Sequence, residues 1–445
     1  MTTTRRTAHL IGICGTGMGS LAGLLKEAGF DVRGSDQDVY PPISTMLETM
    51  AIPVLRGYRP ENLDPVPDVV VVGNIVGRKN PEVQALLARG LQYLSMPQAL
   101  AEFVLAGRHP VVVAGTHGKT TTSALMSHVL LAAGRDPSFL VGGVLIGSER
   151  SYRLGAGPHV VVEGDEYETA FFDKGPKLLH YRPRTAILTS VEYDHAEMFA
   201  SIEAVEEAFR QFIAIVPPEG AVIACADDPR AERLARGART RTLLYGIDAG
   251  DLRGREISSG PEGMTFEIVA SATPQAASPS SKASRFSIPM TGRHNLRNTI
   301  AVIAAARLLG LDDLEIATAL ASFRGVHRRQ EIVGEAAGVT VLDDFAHHPT
   351  AVRETIAGTR SRFPGRRLWA LFEPRTNTTR RSVFQEEYAV AFDGADRVVI
   401  TAVDHPERAP EGSRFDVEKL VADLRHRGLD ARCVPTVEEI VSMVA

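Results

Sequence analysis

Residues Gly115 to Thr122 read Gly-Thr-His-Gly-Lys-Thr-Thr-Thr, and no other stretch limits the possible folds so sharply. The apolar run Pro110-Val111-Val112-Val113-Ala114 precedes them, and the helical pattern Ser123-Ala124-Leu125-Met126-Ser127-His128-Val129-Leu130 follows. Strand, glycine-rich turn, Lys-Thr and helix is the order a phosphate cradle needs. Glycines let backbone N–H groups close around phosphate oxygens, and the helix N-terminus adds a partial positive charge. Lys119 can reach terminal phosphates, and the Thr120 hydroxyl can ligate Mg²⁺. A plain strand-to-helix turn is the competing reading, but Gly-Lys-Thr in this setting is rarely accidental. A standard loop of this kind has glycine where this chain has Val113, so the loop is a variant.

Chain length, 445 residues, exceeds what one small core accommodates and suggests about three domains. A formal net charge of −5 gives no reason to expect a nucleic-acid partner. The three cysteines, Cys14, Cys225 and Cys433, are far apart and odd in number. That argues against a disulfide framework and fits a reducing, cytoplasmic location. No run approaches the roughly 18 apolar residues of a membrane span, so no membrane insertion is expected. Arg5-Arg6 ahead of His9–Cys14 could be taken for a twin-arginine export signal. Four glycines between Gly12 and Gly19 break that run, which makes a first strand and turn the better reading. The oligomeric state is open.

Three segments emerge along the chain. Residues 1–107 begin with a strand at Ala8–Ile13, a glycine turn and a helix near Leu21–Ala28. Strands near Asp31–Arg33 and at Asp68–Val72 follow, and Pro97–Gly107 reads as a connecting helix. Short apolar runs alternating with helical patterns predict a parallel, doubly wound α/β sheet of Rossmann-like type. Residues 108–322 start at the phosphate loop. They carry buried-strand patterns at His159–Val162 and Thr185–Thr189, and helices at Ile202–Ile215 and Asn298–Leu309. Ser271–Ser284, small and polar, predicts a mobile surface loop between two strands. Residues 323–445 form a further small α/β segment. Its strand patterns at Val339–Leu342, Arg367–Phe372 and Arg397–Ile400 alternate with helices.

Two carboxylate-bearing strand ends carry further chemistry. Glu163-Gly164-Asp165-Glu166 follows Val160–Val162, and the next strand ends in Tyr193-Asp194-His195. Acidic groups at the C-terminal ends of parallel strands are well placed to hold a metal beside a ligand. A hard cation such as Mg²⁺ takes hydroxyl, carboxylate and phosphate oxygens and tolerates one imidazole. Thr120, Glu163 and His195 can therefore converge on nucleotide phosphates. A polar loop and a structural histidine are the plainer alternatives.

Taken in order, the loop Gly-Thr-His-Gly-Lys-Thr, the acidic Glu163–Glu166 and Asp194-His195 resemble the Mur ligases. So do Gly292-Arg293-His294-Asn295-Leu296-Arg297-Asn298 and Asp343-Asp344-Phe345-Ala346-His347-His348-Pro349. These are ATP-dependent, amide-forming enzymes of peptidoglycan synthesis. The resemblance spans nearly the whole chain. It implies a three-domain α/β fold: a Rossmann-like domain binding the UDP-sugar (1–107), a central phosphate-loop ATPase-like domain with a mostly parallel sheet (108–322), and a Rossmann-like C-terminal domain (323–445) that binds the amine substrate and closes over the site.

The same resemblance implies site roles. ATP is held by Gly115, Thr116, His117, Gly118, Lys119, Thr120 and Thr121, with His294 and Asn295 at adenine, Asp344 at ribose and Arg329 on the phosphates. Mg²⁺ falls to Thr120, Glu163 and His195. The UDP-sugar falls to Gly15, Thr16, Gly17, Met18, Ser35, Asp36 and Asn74. Lys119, His195, His348 and Arg329 are the catalytic candidates, with His347 and His348 at the closing interface. A surface turn ahead of a helix is the plainer reading of the two histidines. His348 and His195 are both candidates for the base that deprotonates the amine.

Several relatives carry a carbamylated lysine after the Asp-His motif, but no lysine occurs here between Lys177 and Lys282. The resemblance is thus to the branch acting on UDP-N-acetylmuramate itself. Within it, Glu166-Tyr167 with Ala170–Lys174 and His180–Thr185, the turn Ile13–Gly19, and Asp38–Thr45 look like the member that adds the murein tripeptide L-Ala-γ-D-Glu-meso-diaminopimelate in peptidoglycan recycling. Glu373-Pro374-Arg375-Thr376-Asn377-Thr378 matches that member too, which makes Glu373, Arg375 and Asn377 the peptide-binding candidates. Guanidinium groups bind carboxylates bidentately, so Arg375, Arg380 and Arg381 suit a substrate with several carboxylates. A charged surface run is the alternative. The member that adds L-alanine is the neighbouring reading.

Departures from the pattern are Ser190, where many relatives have Asn, and Glu168, where Asp is common. Relatives also continue past the equivalent of Ala445 through a strand, a glycine-rich segment and a helix, so this segment is expected to expose a sheet edge. Two readings come from other classes. Gly15, Gly17 and Asp36 mimic a nicotinamide-dinucleotide fingerprint, but its third position is Ser20, and a phosphate loop in the next domain does not suit a dehydrogenase. A non-catalytic UDP-sugar or ATP sensor predicts binding without turnover.

Overall fold

A computed structural model describes residues 5–271 and 283–444. The polar loop expected at Ser271–Ser284 falls, over 272–282, outside the described residues. Its flanks are strands Gly263–Ala270 and Ser284–Ile288, paired antiparallel.

The first sheet has five strands, all parallel. Across the sheet they run Val54–Arg56, Asp31–Asp36, Thr7–Ile11, Val69–Val72 and Tyr93–Ser95. The chain order reverses beside Thr7–Ile11, the place where a doubly wound sheet opens a ligand crevice. The following helix, Thr16–Glu27, begins at Gly15 without a side-chain cap, so its N–H groups face that crevice. The connecting helix is short: Met96–Leu100 is α-helical and Ala101–Leu105 is a π turn.

The central sheet has ten strands. Strands His109–Ala114, His159–Glu163, Thr185–Leu188, Ala221–Cys225 and Arg241–Gly246 are parallel, and antiparallel pairs close both edges. Val111 and Val113 belong to one core with helices Lys119–Ala132 and Arg293–Leu308, while Val112 and Ala114 belong to the opposite core with the short turn Lys177–Tyr181 and helix Ile202–Ala214. Burial on both faces explains why these strands are unbroken apolar runs rather than alternating ones. Helix Arg293–Leu308 starts five residues before the expected Asn298, which brings His294 and Asn295 into its first turn.

The third unit differs from expectation in one strand. Trp369–Phe372, Arg397–Ile400 and Asp430–Cys433 form a parallel three-stranded sheet. Val339–Asp343 is not in it. It pairs antiparallel with Glu331–Ala336 as a separate hairpin. A short apolar run specifies a strand but not its neighbour, and a local hairpin closes with less chain entropy than a crossover.

Side chains lock the units together. Tyr152, from the central sheet, fills the space that the missing side chain of Gly23 leaves on the first domain's helix: a Cβ there would stand 2.2 Å from the tyrosine ring. Phe172 meets Tyr93 edge-on at 4.9 Å. Thr378 Oγ1, on the third domain, donates to Asp194 Oδ1 at 3.0 Å.

Candidate active site

The phosphate loop is held from two sides. Gly118 has φ +81°, and a Cβ there would lie 2.5 Å from Asn298 Oδ1. Gly115 has φ +129°, with Thr189 Oγ1 2.2 Å from the position a Cβ would take. Only glycine fits both the conformation and the space. The loop is stitched to the following strand end: Thr116 N donates to Ser190 O at 2.9 Å, and His117 N to Ser190 Oγ at 3.0 Å. Ser190 therefore supplies a polar anchor for the loop through both its carbonyl and its hydroxyl. Thr121 is buried in the first turn of the helix.

Inside the loop, Lys119 Nζ donates to Gly115 O at 2.7 Å and to both carboxylate oxygens of Glu166 at 3.1 and 2.9 Å. Burial alone would lower the lysine pKa, but Glu166 and Asp165 outweigh it and raise it. Thr120 Oγ1 donates to Glu163 Oε1 at 2.9 Å, and Gly142 N to Glu163 Oε2 at 2.7 Å. Burial and neighbouring Asp165 raise the Glu163 carboxyl pKa. A buried carboxylate crowded by a second one, beside a hydroxyl, is a hard-oxygen pair suited to a divalent cation. His195 stands next to this pair rather than on it. Its Nε2 lies 3.4 Å from Glu166 Oε1, and its Nδ1 lies 3.0 Å from Tyr167 Oη. Burial disfavours its charge, but hydrogen bonding to Glu166 and Glu197 overrides that and pushes its pKa up to about 10.

From the third domain Arg329 reaches across: its Nη2 donates to Thr120 Oγ1 at 3.2 Å. Arg328 and Gln330 on either side have φ of +61° and +50°, so a left-handed kink aims the guanidinium. Asp344 accepts from Gln330 N at 2.8 Å and from Ala346 N at 2.7 Å. Asn295 Nδ2 donates to Thr291 O and meets Gln330 Oε1 at 3.3 Å. His294 faces Glu354 of the third domain at 3.5 Å. Asn295, Gln330 and Asp344 thus line one seam between the two domains.

A second junction joins His117, Glu192 and His348. Glu192 Oε2 lies 3.1 Å from His117 Nε2 and 3.7 Å from His348 Nδ1. Burial would raise the Glu192 carboxyl pKa, but the bond from His117 outweighs it and holds it at about 2. Burial, reinforced by His117, pushes His348 down to about 4, so its ring is neutral near pH 7. Its Nε2 faces Tyr193 O at 3.3 Å, and its Nδ1 caps Thr350 N at 3.3 Å. His348 in this state is a cap and a cross-domain tie.

In the first domain, Asp36 pins the glycine turn: Oδ2 accepts from Cys14 N at 2.8 Å, and Oδ1 from Tyr58 Oη at 3.1 Å. Ser35 Oγ donates to the buried Glu82 at 2.9 Å. Gly15 begins the uncapped helix whose first residues are Thr16, Gly17 and Met18, and Asn74 is exposed at the end of the neighbouring strand. Among the arginines suggested for a peptide, Arg380 is spent internally, bonding Asp404 O and Asp404 Oδ2 with a side chain 7% exposed. Arg375 is 70% exposed, and its ion pairs with Glu373 and Asp404 are long, 3.8 Å each, so its fork faces solvent and can exchange them for a bound carboxylate. Asn377 Oδ1 meets Arg380 Nη1 at 3.4 Å.

Glu166, Tyr167, Glu192 and Glu197 carry much of this geometry, yet motif reading singled out none of them as site residues. Glu166 was visible inside the acidic motif. Nothing in linear spacing shows that the loop folds it back over Lys119.

Comparison with known proteins agrees with the architecture. Residues 7–108 match the Mur ligase family catalytic domain, 113–306 the Mur ligase middle domain, and 328–445 the Mur ligase glutamate ligase domain. The chain belongs to the Mur ligase family. It is 40% identical over 399 residues to the UDP-N-acetylmuramate–L-alanyl-γ-D-glutamyl-meso-2,6-diaminoheptandioate ligase of Escherichia coli, covering 89% of this chain and 85% of that one. It is 37% identical over 396 residues to the UDP-N-acetylmuramate–L-alanine ligase of Rubrobacter xylanophilus, covering 89% and 83%. Among solved structures, a murein peptide ligase from Psychrobacter arcticus superposes with TM-score 0.72 at 34% identity, covering 99% of this chain and 92% of that one. An alanine ligase from Thermotoga maritima shares the fold, with TM-score 0.79 at 24% identity over 99% and 93%. Among the described residues no helix is long and apolar enough to cross a membrane.

Proposed function

We propose that this Mur ligase joins the tripeptide L-alanyl-γ-D-glutamyl-meso-diaminopimelate to UDP-N-acetylmuramate with consumption of ATP, in the cytoplasm, as a step of peptidoglycan recycling. The observation that carries the reading is the meeting of Lys119, the Thr120–Glu163 pair and Arg329 at one loop. Phosphoryl transfer needs cations around the terminal phosphate and an in-line approach, and little else. The lactyl carboxylate attacks the γ-phosphorus and releases ADP. The acyl phosphate is then attacked by the peptide amine, which loses a proton as phosphate departs. Thr120 and Glu163, with His195 beside them, would hold Mg²⁺, which when bound neutralises phosphate charge.

The protein's own work is placement. The uncapped helix after Gly15 receives the UDP diphosphate, and Asp36 fixes that turn. Arg329 links the third domain to the phosphate loop, so closure and nucleotide binding are coupled, and closure keeps water from the acyl phosphate. Choice of the tripeptide is supported by the exposed Arg375 in the Glu373–Thr378 turn. It is also supported by 40% and 38% identity to two ligases named for that peptide.

The test is phosphate release from ATP with UDP-N-acetylmuramate and either the tripeptide or L-alanine. Turnover with the tripeptide alone is expected. Turnover with L-alanine alone would overturn the acceptor assignment. ATP binding without turnover on either acceptor would overturn the ligase assignment.

A further inference from the structure

Lys119 is the group a phosphate loop exists to aim, yet its ammonium is already claimed. Its three close contacts are Gly115 O at 2.7 Å and the two oxygens of Glu166 at 2.9 and 3.1 Å. An ammonium has three N–H donors, and these contacts use them all. The two side chains are 10% and 3% exposed, so water does not substitute for either partner. A terminal phosphate can therefore engage Lys119 only by displacing Gly115 O or Glu166, and Glu166 holds two of the three donors.

Glu166 has a second partner. Its Oε1 lies 3.4 Å from His195 Nε2. His195 sits at φ +54°, a left-handed conformation that a non-glycine residue adopts only under constraint. The constraint is local: Tyr167 Oη meets its Nδ1 at 3.0 Å, and Asp194 Oδ1 accepts its backbone N–H at 2.7 Å. The loop bearing Glu166 is fixed as well, by Leu178 N to Asp165 O at 3.1 Å and Lys177 N to Tyr167 O at 3.0 Å. One carboxylate thus stands between the phosphate-loop lysine and the strand-end histidine, on a loop that does not need to move for it to exchange partners.

We propose that Glu166 is a positioning residue: it holds Lys119 back on the loop until nucleotide arrives, then yields it to the terminal phosphates and keeps His195 aimed at the reacting end. The proposal rests on the ATP reading above. A buried ammonium without a counter-charge is costly, so Glu166 stabilises the empty loop. The same carboxylate competes with the phosphates. Its bond to His195 is what remains after the exchange.

The test uses the full chain, with equilibrium binding of ATP, ADP and AMP measured in a metal chelator. Glu166→Gln keeps the shape and removes the charge. ATP and ADP are expected to bind about tenfold tighter to this variant, a shift of the size set by one ion-pair contact. AMP, whose single phosphate stops short of Lys119, is expected to bind as it does to the wild type. In turnover, KM for ATP falls and kcat falls too, because His195 loses one of its two carboxylate partners and keeps only Glu197. A merely structural role would weaken all three nucleotides together. If Glu166→Gln does not fold, Glu166→Asp withdraws the carboxylate by one methylene and should move the ATP-to-AMP affinity ratio the same way by a smaller factor. An unchanged ratio in the folded variants, or an unchanged kcat, overturns the proposal. Failure of the wild type to bind ATP would instead overturn the ATP reading.

Discussion

Gly115→Ala tests the packing of the phosphate loop directly. The new Cβ would stand 2.2 Å from Thr189 Oγ1 and 2.9 Å from Ser190 N and O. Thr189 cannot rotate away freely, because its hydroxyl donates to His117 O at 2.5 Å. Ser190 O is held by Thr116 N at 2.9 Å. Overpacking of this kind costs about 1–3 kcal/mol, and a left-handed backbone adds about 1–2 kcal/mol for a residue with a Cβ. The sum is about 2–5 kcal/mol. Gly29→Ala is the matched control: its φ is +92°, and nothing lies within 4 Å of the added atom. It should lose only the conformational part, about 1–2 kcal/mol. Urea midpoints for the two variants give the difference, and calorimetric ATP titration reports the loop. Gly115→Ala should lose at least about tenfold in ATP affinity, because the Gly115 carbonyl that anchors Lys119 must shift. Equal midpoints for the two variants, together with wild-type ATP binding by Gly115→Ala, would refute the account.

Three further outcomes follow from the site. Arg329→Ala removes a charged hydrogen bond worth about 1.5–3 kcal/mol. It should lower kcat/KM for ATP-dependent turnover by roughly 10- to 150-fold; a change of less than about threefold would mean that the contact with Thr120 has no part in the reaction. Arg375→Ala should raise KM for the peptide acceptor by about tenfold or more and leave KM for ATP unchanged, as initial rates with each substrate varied in turn will show. His348 supplies a pH dependence. Its pKa falls from 6.5 to about 4 on burial, so the folded chain keeps the ring neutral while the unfolded chain protonates it. Its contribution is complete above about pH 6.5 and is lost as pH falls toward 4, at most about 3 kcal/mol. His348→Asn should therefore flatten that limb of the plot of urea midpoint against pH. An unchanged slope would show that the ring is protonated in the folded chain.

How much was legible in advance differs from residue to residue. Parallel strands buried on both faces announce themselves, because Val111, Val112 and Val113 all need to be apolar. The phosphate loop was legible because glycine, lysine and threonine act there through backbone and local geometry. Val339–Asp343 was legible as a strand but not as half of a hairpin, since its apolar content is the same in either pairing. Arg380 and Arg375 look equivalent in the sequence. Only the fold spends the first on Asp404 and leaves the second exposed.

The sequence by itself determined the α/β class, the phosphate loop and the strand ends that carry carboxylate and imidazole. Each of these depends on residues within a few positions of one another, where propensity, periodicity and turn chemistry act. Tertiary structure alone decided that Arg329 meets Thr120 across 209 positions, that Glu166 closes on Lys119, and that Glu192 lies between His117 and His348. These contacts are set by how the sheets and domains pack, a sum of many small apolar terms, and no spacing along the chain encodes the distance between two side chains that such packing brings together.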